Sequence, residues 1–297
     1  MSFLIFQNKL FFNFNEPLTQ NHIDELRELL NQTQYEIFVG DEEGNRFDHP
    51  IELLSKVENI EILHLQDYRI KINKLPPNLK EFYSGNCFNK DIIFPDSVEK
   101  IVFGIFFNKY IRKYPKNLKS IEFGKKFNQN IDNLPNSLEY LYLCGDFNQS
   151  IDNLPSSLKK ISFFNIFYSF FNKPVDNLPS NLEEIYFFGD FNQPIDNLPS
   201  SLKILFLNGH FFQSIDNLPT NLIKIIFSKS GIFNYSINNL PNSVEEIILP
   251  NIYSLPIEKI PDKLQNIEVL KKYPYINDLK KIFKNVSIRN NENYNQK

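Results

Sequence analysis

The chain has 297 residues, with 32 Lys and Arg against 35 Asp and Glu, giving a net charge of −3. That balance argues against nucleic-acid binding, which favours strongly basic surfaces, and no run of roughly eighteen apolar residues exists to span a membrane. Two cysteines, Cys87 and Cys144, are too few for a disulfide framework, and a composition of 30 Phe, 14 Tyr, 18 Pro and 9 Gly asks first for a search for internal repeats.

The first residues, Met1 to Phe14, are apolar in places but broken by Gln7, Asn8, Lys9 and Asn13. They lack the basic start, unbroken apolar core and small-residue cleavage site of a secretory signal. The Asn-x-Ser/Thr matches at Asn31, Asn148, Asn234 and Asn285 therefore carry little weight, and a cytoplasmic protein with reduced thiols is expected. Leu18 to Leu30 is amphipathic, with Ile23, Leu26, Leu29 and Leu30 on one face of a predicted helix. Tyr35 to Val39 reads as a strand, and Ile51 to Val57 as a short helix. Solenoids need atypical end units to cover their open cores, so residues 1–56 are read as an N-terminal α/β cap.

From residue 57 to 273 the chain repeats. Residues 127–138 read Phe-Asn-Gln-Asn-Ile-Asp-Asn-Leu-Pro-Asn-Ser-Leu, and 147–158 and 191–202 repeat this nearly unchanged. Punctuating prolines fall at Pro76, Pro95, Pro115, Pro135, Pro155, Pro179, Pro199, Pro219, Pro241 and Pro261, mostly twenty residues apart. A degenerate earlier turn starts near Val57, where Ile60, Leu63 and Leu65 keep the apolar pattern. Six positions per turn are apolar and align as columns, such as Leu118, Leu138, Leu158 and Leu182, or Phe107, Phe127, Phe147, Phe171 and Phe191. One turn alone cannot bury six apolar groups, so equivalent residues must stack. The Leu-x-x-Ile-x-Phe core alternates with period two, as a short strand does, and twenty residues leave no room for a long helix. The expected fold is a leucine-rich-repeat-like, right-handed β-solenoid of about eleven turns, its parallel strands roughly 4.8 Å apart and the stack on the order of 50 Å long.

The pattern Phe-Asn-x-x-Ile-Asp-Asn-Leu-Pro resembles the FNIP repeat family, a relative of leucine-rich repeats. The match is sharpest in residues 115–240 and departs at Phe94 and Tyr114, which replace Leu before proline, and at Phe212, which replaces Asn. The resemblance implies an interaction module and supplies no catalytic residues.

Beyond the repeat, Ile276 to Lys284 carries Ile276, Leu279, Ile282 and Phe283 at helical spacing, followed by Val286 to Ile288. Residues 274–289 are read as a C-terminal helix-strand cap, and 290–297 as a polar, disordered tail.

Two polar columns suggest chemistry. The Asn column, with Asn128, Asn148, Asn172 and Asn192, follows the Phe column of Phe127, Phe147, Phe171 and Phe191. Seven such Asn copies suit an inward hydrogen-bond ladder to the next turn's backbone better than a single ligand site. Asp132, Asp152, Asp176, Asp196 and Asp216 recur once per turn without the glycines and extra oxygens of a calcium repeat, so a local Asp-to-backbone turn bond is expected. Cys87 and Cys144 lie three turns apart, roughly 14 Å, beyond disulfide reach. His22, His49, His64 and His210 are scattered, and no metal, nucleotide or nucleophile motif appears. No cofactor is predicted.

The outward strand positions are more telling. Their central column reads His64, Tyr83, Val102, Glu122, Tyr142, Ser162, Tyr186, Phe206, Ile226 and Ile248, flanked by Phe164 and Phe188. From Tyr142 onward this concave sheet face is expected to be apolar and aromatic, marking a protein-binding patch. The longest insertion, Phe164 to Phe170, adds Phe167 and Tyr168 to it, either to bind or only to pack. The reading is a non-catalytic protein–protein interaction scaffold that binds a protein partner of unidentified kind, with no nucleic acid and no membrane. An enzyme with a site assembled across turns, or a purely structural repeat, are the alternatives. The oligomeric state is not readable from the sequence.

Overall fold

The computed structural model describes residues 2–12, 14–40, 47–163, 169–189 and 191–289. Two compact units, Met1–Phe147 and Asn148–Lys297, divide the chain. Both are parallel β-solenoid.

In unit 1 the strands β1 (Phe3–Phe6) and β2 (Lys9–Phe12) form an antiparallel hairpin. Helix α1 (Gln20–Gln32) follows, two residues later at each end than its apolar pattern predicts. Thr19 caps it, accepting from the His22 backbone N–H while His22 Nδ1 accepts from the Thr19 N–H at 3.2 Å. The helix buries His22, Ile23, Leu26 and Leu30, and Leu29 is half-exposed. Strand β3 (Glu36–Val39) and a 3-10 turn at Glu52–Lys56 lie where a strand and a short helix are predicted. Strands β4 (Ile62–Leu65), β5 (Glu81–Ser84), β6 (Lys100–Val102), β7 (Ser120–Phe123) and β8 (Tyr140–Leu143) then pair in parallel, one per turn.

Unit 2 continues the scheme with β9 (Lys160–Ser162), β10 (Glu184–Phe187), β11 (Ile204–Leu207), β12 (Lys224–Phe227), β13 (Glu246–Ile248) and β14 (Asn266–Leu270). Helix α2 (Ile276–Ile282) is shorter than predicted and buries only Leu279, with Ile282 exposed. Strand β15 (Val286–Arg289) pairs in parallel with β14. Five strands from β4 to β8 and six from β9 to β14 make eleven turns of about twenty residues.

The repeat explains each corner. Proline opens a β-turn: Leu118, Leu138, Leu158, Leu182, Leu202 and Leu222 donate their N–H to the carbonyl of the proline three residues earlier, at 3.0–3.3 Å. The chain leaves the turn into the strand, where the period of two sends Ile and Phe inward. The Leu, Ile and Phe columns are buried throughout. Within a turn the last strand residue stacks on the Phe of the next corner, as in Phe123–Phe127 at 3.7 Å and Phe187–Phe191 at 3.6 Å. Between turns the corner rings stack too, as in Phe107–Phe127 at 6.3 Å and Phe171–Phe191 at 6.0 Å. Each fully buried Phe contributes roughly 1.5–3 kcal/mol by area.

Polar corners repeat just as strictly. The Asn108 N–H donates to Asn89 Oδ1 and the Asn128 N–H to Asn108 Oδ1, both at 3.0 Å. In unit 2 the Asn172 N–H donates to Asn148 Oδ1, the Asn192 N–H to Asn172 Oδ1, and the Phe212 N–H to Asn192 Oδ1. These asparagines are not inward, as expected, but half-buried or exposed: Phe fills the interior, and the Asn beside it needs only one lateral bond to the next turn. The Asp column also does more than turn locally. Ser150 Oγ donates to Asp152 and Ser214 Oγ to Asp216, while Asn177, Asn197, Asn217 and Asn239 each donate to the Asp of the preceding turn at 2.9–3.1 Å. Asp152 and Asp216 are held below the usual carboxylate range by the hydroxyl and then the amide that donate to them. A third ladder joins Ser137 to Leu118 O, Ser201 to Leu182 O and Ser243 to Leu222 O.

Candidate interaction surfaces of the two units

In unit 2 the register places Ser162, Tyr186, Phe206, Ile226, Ile248 and Glu268 in one column on the solvent side of the sheet. Tyr186, Phe206, Ile226 and Ile248 are half-buried, whereas Ser162 is buried. The Tyr186 and Phe206 rings stack at 5.9 Å, and Phe188, just past β10, stacks on Phe206 at 4.8 Å. The neighbouring column reads Lys160, Glu184, Ile204, Lys224 and Glu246. Its charges close on each other: Lys160 pairs with Glu184 at 3.0 Å, and Lys224 pairs with Glu246. Lys160 also lies 4.5 Å over the Tyr186 ring, and the Tyr186 hydroxyl donates to Glu184 at 2.9 Å. Burial, then the bond to Glu184, raise the Tyr186 phenol above its ordinary value. The result is an aromatic and aliphatic strip beside mutually neutralised charges. Phe164, Phe167 and Tyr168 lie outside the described residues. Phe170, at the end of the same insertion, is exposed, and Ser169 and Phe171 are buried.

Unit 1 holds Tyr142 on β8, opposite Glu122 of β7. Aromatic side chains on the outward face, expected from Tyr142 onward, also form a column earlier in the chain. Phe11, Phe38, His64 and Tyr83 share one column across β2 to β5, Phe11 buried and the other three half-buried. Their rings stack at 4.7, 4.1 and 4.3 Å, close to the strand spacing, because adjacent parallel strands hold equivalent side chains in line. His64 Nε2 meets Glu36 Oε2 at 3.1 Å. Desolvation between Phe38 and Tyr83 pulls the His64 imidazole below its ordinary value, against the opposing pull of Glu36. Lys100 donates to the Tyr83 hydroxyl at 2.8 Å, and that hydroxyl donates to Glu81. The Lys–Tyr–Glu arrangement of unit 2 thus recurs in unit 1. Phe11 and Phe38 lie ahead of the clean repeat and so were missed, but the alternation Leu10-Phe11-Phe12 and Ile37-Phe38-Val39 is their signal.

Chemistry is sparse elsewhere. Cys87 and Cys144 are free thiols, and burial pushes the Cys144 thiol up to about 12. Arg69 donates to Cys87 Sγ at 3.2 Å. Among the described residues, no group of three or more His, Cys, Asp or Glu could hold a metal ion, and no helix is long and apolar enough to cross a membrane.

The family model described as FNIP Repeat matches residues 107–146, 127–165 and 171–210. The chain carries FNIP repeats. The first two matches are offset by one turn, so each spans two of the FNIP turns described above. Among solved structures, one described as CroV588, a novel circular LRR protein, is 26% identical with a TM-score of 0.66, over 91% of this chain and 48% of that one. YopM from Yersinia enterocolitica is 16% identical with a TM-score of 0.54, over 80% of this chain and 51% of that one, and shows the fold alone. The chain thus spans about half the length of the structures it matches. A search of the curated proteins found no match.

Proposed function

We propose that this chain is a non-catalytic scaffold that binds a protein partner through the aromatic strip of unit 2, with Tyr186, Phe188, Phe206 and Ile226 as its anchors. The observation that carries the reading is the run of ring contacts from Tyr186 through Phe206 to Phe188 on the solvent side of a sheet, beside closed ion pairs. Half-buried aromatics held rigid by a sheet bind with little further loss of side-chain freedom, which is why such residues dominate interface energetics. Leucine-rich-repeat relatives, which commonly mediate protein–protein interaction, support the class of function. Tyr142 of unit 1 and the insertion residues Phe164, Phe167 and Tyr168 are assigned to partner binding on sequence grounds. Residues 1–56 and 274–289 are read as caps, consistent with the apolar face α1 buries, and the free thiols accord with a cytoplasmic setting.

The test compares partners recovered by the wild type and by a Tyr142→Ala/Tyr186→Ala/Phe206→Ala variant with unchanged circular dichroism. A partner is expected to bind the wild type directly and to lose at least about tenfold in affinity with the variant, since buried aromatic anchors cost about 2 kcal/mol or more when truncated. Identical recoveries from both would refute the proposed site.

A further inference from the structure

We propose that two adjacent turns of unit 1 form, around Ile93 and Tyr110, a contact surface for an anionic lipid bilayer. This is independent of the strip on unit 2. The segments 86–96 and 106–116, which follow β5 and β6, lie side by side. The Phe106 N–H donates to the Asn86 carbonyl and the Asn108 N–H to Asn89 Oδ1, both at 3.0 Å. Further on, the Lys113 and Lys116 ammonium groups reach the Asp96 carboxylate at 3.7 and 3.5 Å. Lys90 and Lys109, which directly follow the two bonded asparagines, are therefore neighbours, and Ile92 and Ile111 are buried behind them.

The outward side chains here break the pattern of the later turns. From Asp132 onward, the residues three and two places before the proline are Asp and Asn in five successive turns. Before Pro115 that pair is Arg112 and Lys113, and before Pro95 the second place is Ile93. Residues 89–96 and 108–116 hold five cations, at 90, 109, 112, 113 and 116, against two carboxylates, Asp91 and Asp96. Neither the net charge of −3 nor the lack of a spanning segment shows this local excess. The side chains of Lys90, Lys109 and Arg112 form no ion pair among the described residues.

Free cations suit any polyanion, and the apolar side chains beside them decide which. Ile93 is 75% exposed, more than any other large apolar side chain among the described residues, and Tyr110 is 46% exposed. A nucleic acid would neutralise the cations and leave Ile93 in water. A folded acidic partner would need a cleft shaped to receive it. A bilayer surface takes both parts at once: its phosphate and carboxylate headgroups meet the cations, and Ile93 and the Tyr110 ring enter the boundary between headgroups and acyl chains. The Tyr110 hydroxyl stays at headgroup depth, as an amphipathic ring does.

The test is co-sedimentation of the full chain with vesicles of phosphatidylcholine and phosphatidylserine in equal parts, against vesicles of phosphatidylcholine alone. The wild type should pellet with the first and stay in solution with the second, and added salt should release it. Lys90→Glu/Lys109→Glu should weaken binding at least about tenfold, since each cation near such a surface contributes about fivefold. Ile93→Ser keeps every charge and should weaken binding about fivefold, the scale of a partly buried isoleucine. Tyr186→Ala/Phe206→Ala should bind vesicles as the wild type does. A wild type that ignores both vesicles or pellets equally with both would overturn the proposal, as would binding that survives the Glu/Glu variant. Ile93→Ser at wild-type strength would also overturn it. Tighter binding of polyglutamate or single-stranded RNA than of vesicles, unaffected by Ile93→Ser, would do so in favour of an acidic protein or a nucleic acid. Should either variant lose its circular dichroism, the lipid and salt dependence of the wild type decides alone.

Discussion

In unit 1 glycine directly follows the strand region in three successive turns, at Gly85, Gly104 and Gly124, and falls one place later in the last turn, at Gly145, as it does in unit 2 at Gly189 and Gly209. Both placements answer one steric demand. A β-carbon on Gly124 would sit 2.0 Å from Gly104 O, and one on Gly209 1.9 Å from Gly189 O. The later glycines, Gly145, Gly189 and Gly209, adopt left-handed backbone, φ 56°, 75° and 97°. Moving the glycine by one residue frees the preceding position for a side chain, and Phe188 stands there against Phe206. Unit 1 lacks that flanking ring and instead builds its aromatic column from Phe11, Phe38, His64 and Tyr83, one ring per strand. The same turn thus yields a broad strip in one unit and a narrow stack in the other. The difference lies outside the buried columns, which the two units share.

The shared core is the strongest part of that comparison and the easiest to break. Phe127→Ala and Phe191→Ala, one in each unit, should each cost roughly 3–5 kcal/mol in urea unfolding, because each empties a close-packed corner. Tyr186→Ala, on the solvent side, should cost less than about 1 kcal/mol, the scale of a cross-strand pair. Equal losses for Phe191→Ala and Tyr186→Ala would mean that inner and outer columns are misassigned.

The polar ladder gives a smaller contrast. Asn192→Ala removes the acceptor of the Phe212 N–H and should cost about 1 kcal/mol. Phe212 has no acceptor to offer the following turn, so Phe212→Asn should restore a rung to Asn234 and raise stability by about 0.5–1 kcal/mol. An unchanged unfolding midpoint in both variants would show that these lateral bonds only replace bonds to water.

The smallest effect separates the narrow stack of unit 1 from the strip of unit 2, which has no histidine in its column. His64 has a folded-state pKa below its ordinary 6.5, because burial between Phe38 and Tyr83, with the Lys9 charge adding to the depression, outweighs the pull of Glu36 and Glu81 on its proton. The unfolded chain therefore binds this proton more readily. The stabilisation is fully present above pH 6.5 and is lost as the pH falls from 6.5 through the folded value. An NMR titration should place the His64 midpoint below 6.5, and His64→Gln should flatten the acid side of the stability profile. A midpoint above 6.5 would mean that Glu36 outweighs burial.

Much of the fold is written in the chain. Leu-Pro every twenty residues sets the turn, and the period of two from Leu118 to Phe123 sets the strand. Six apolar columns require stacking. The Phe corner and the Asn beside it recur often enough to fix register without any alignment. The ends were legible only as elements: the apolar spacing of Ile276, Ile282 and Phe283 predicts a longer buried face than the Leu279 contact that forms. Phe11 and Phe38 escaped notice because they join the column only through β2 and β3, which lie outside the repeat.

By itself the sequence determined what is periodic, because each turn must satisfy the same apolar burial and the same corner hydrogen bonds as its neighbours. Tertiary structure alone decided what is relational. It showed which asparagine donates to which aspartate one turn back, and which lysine covers which tyrosine. It also stacked four rings from four separate strands into one column. These depend on register between strands, which a period constrains but only backbone pairing fixes.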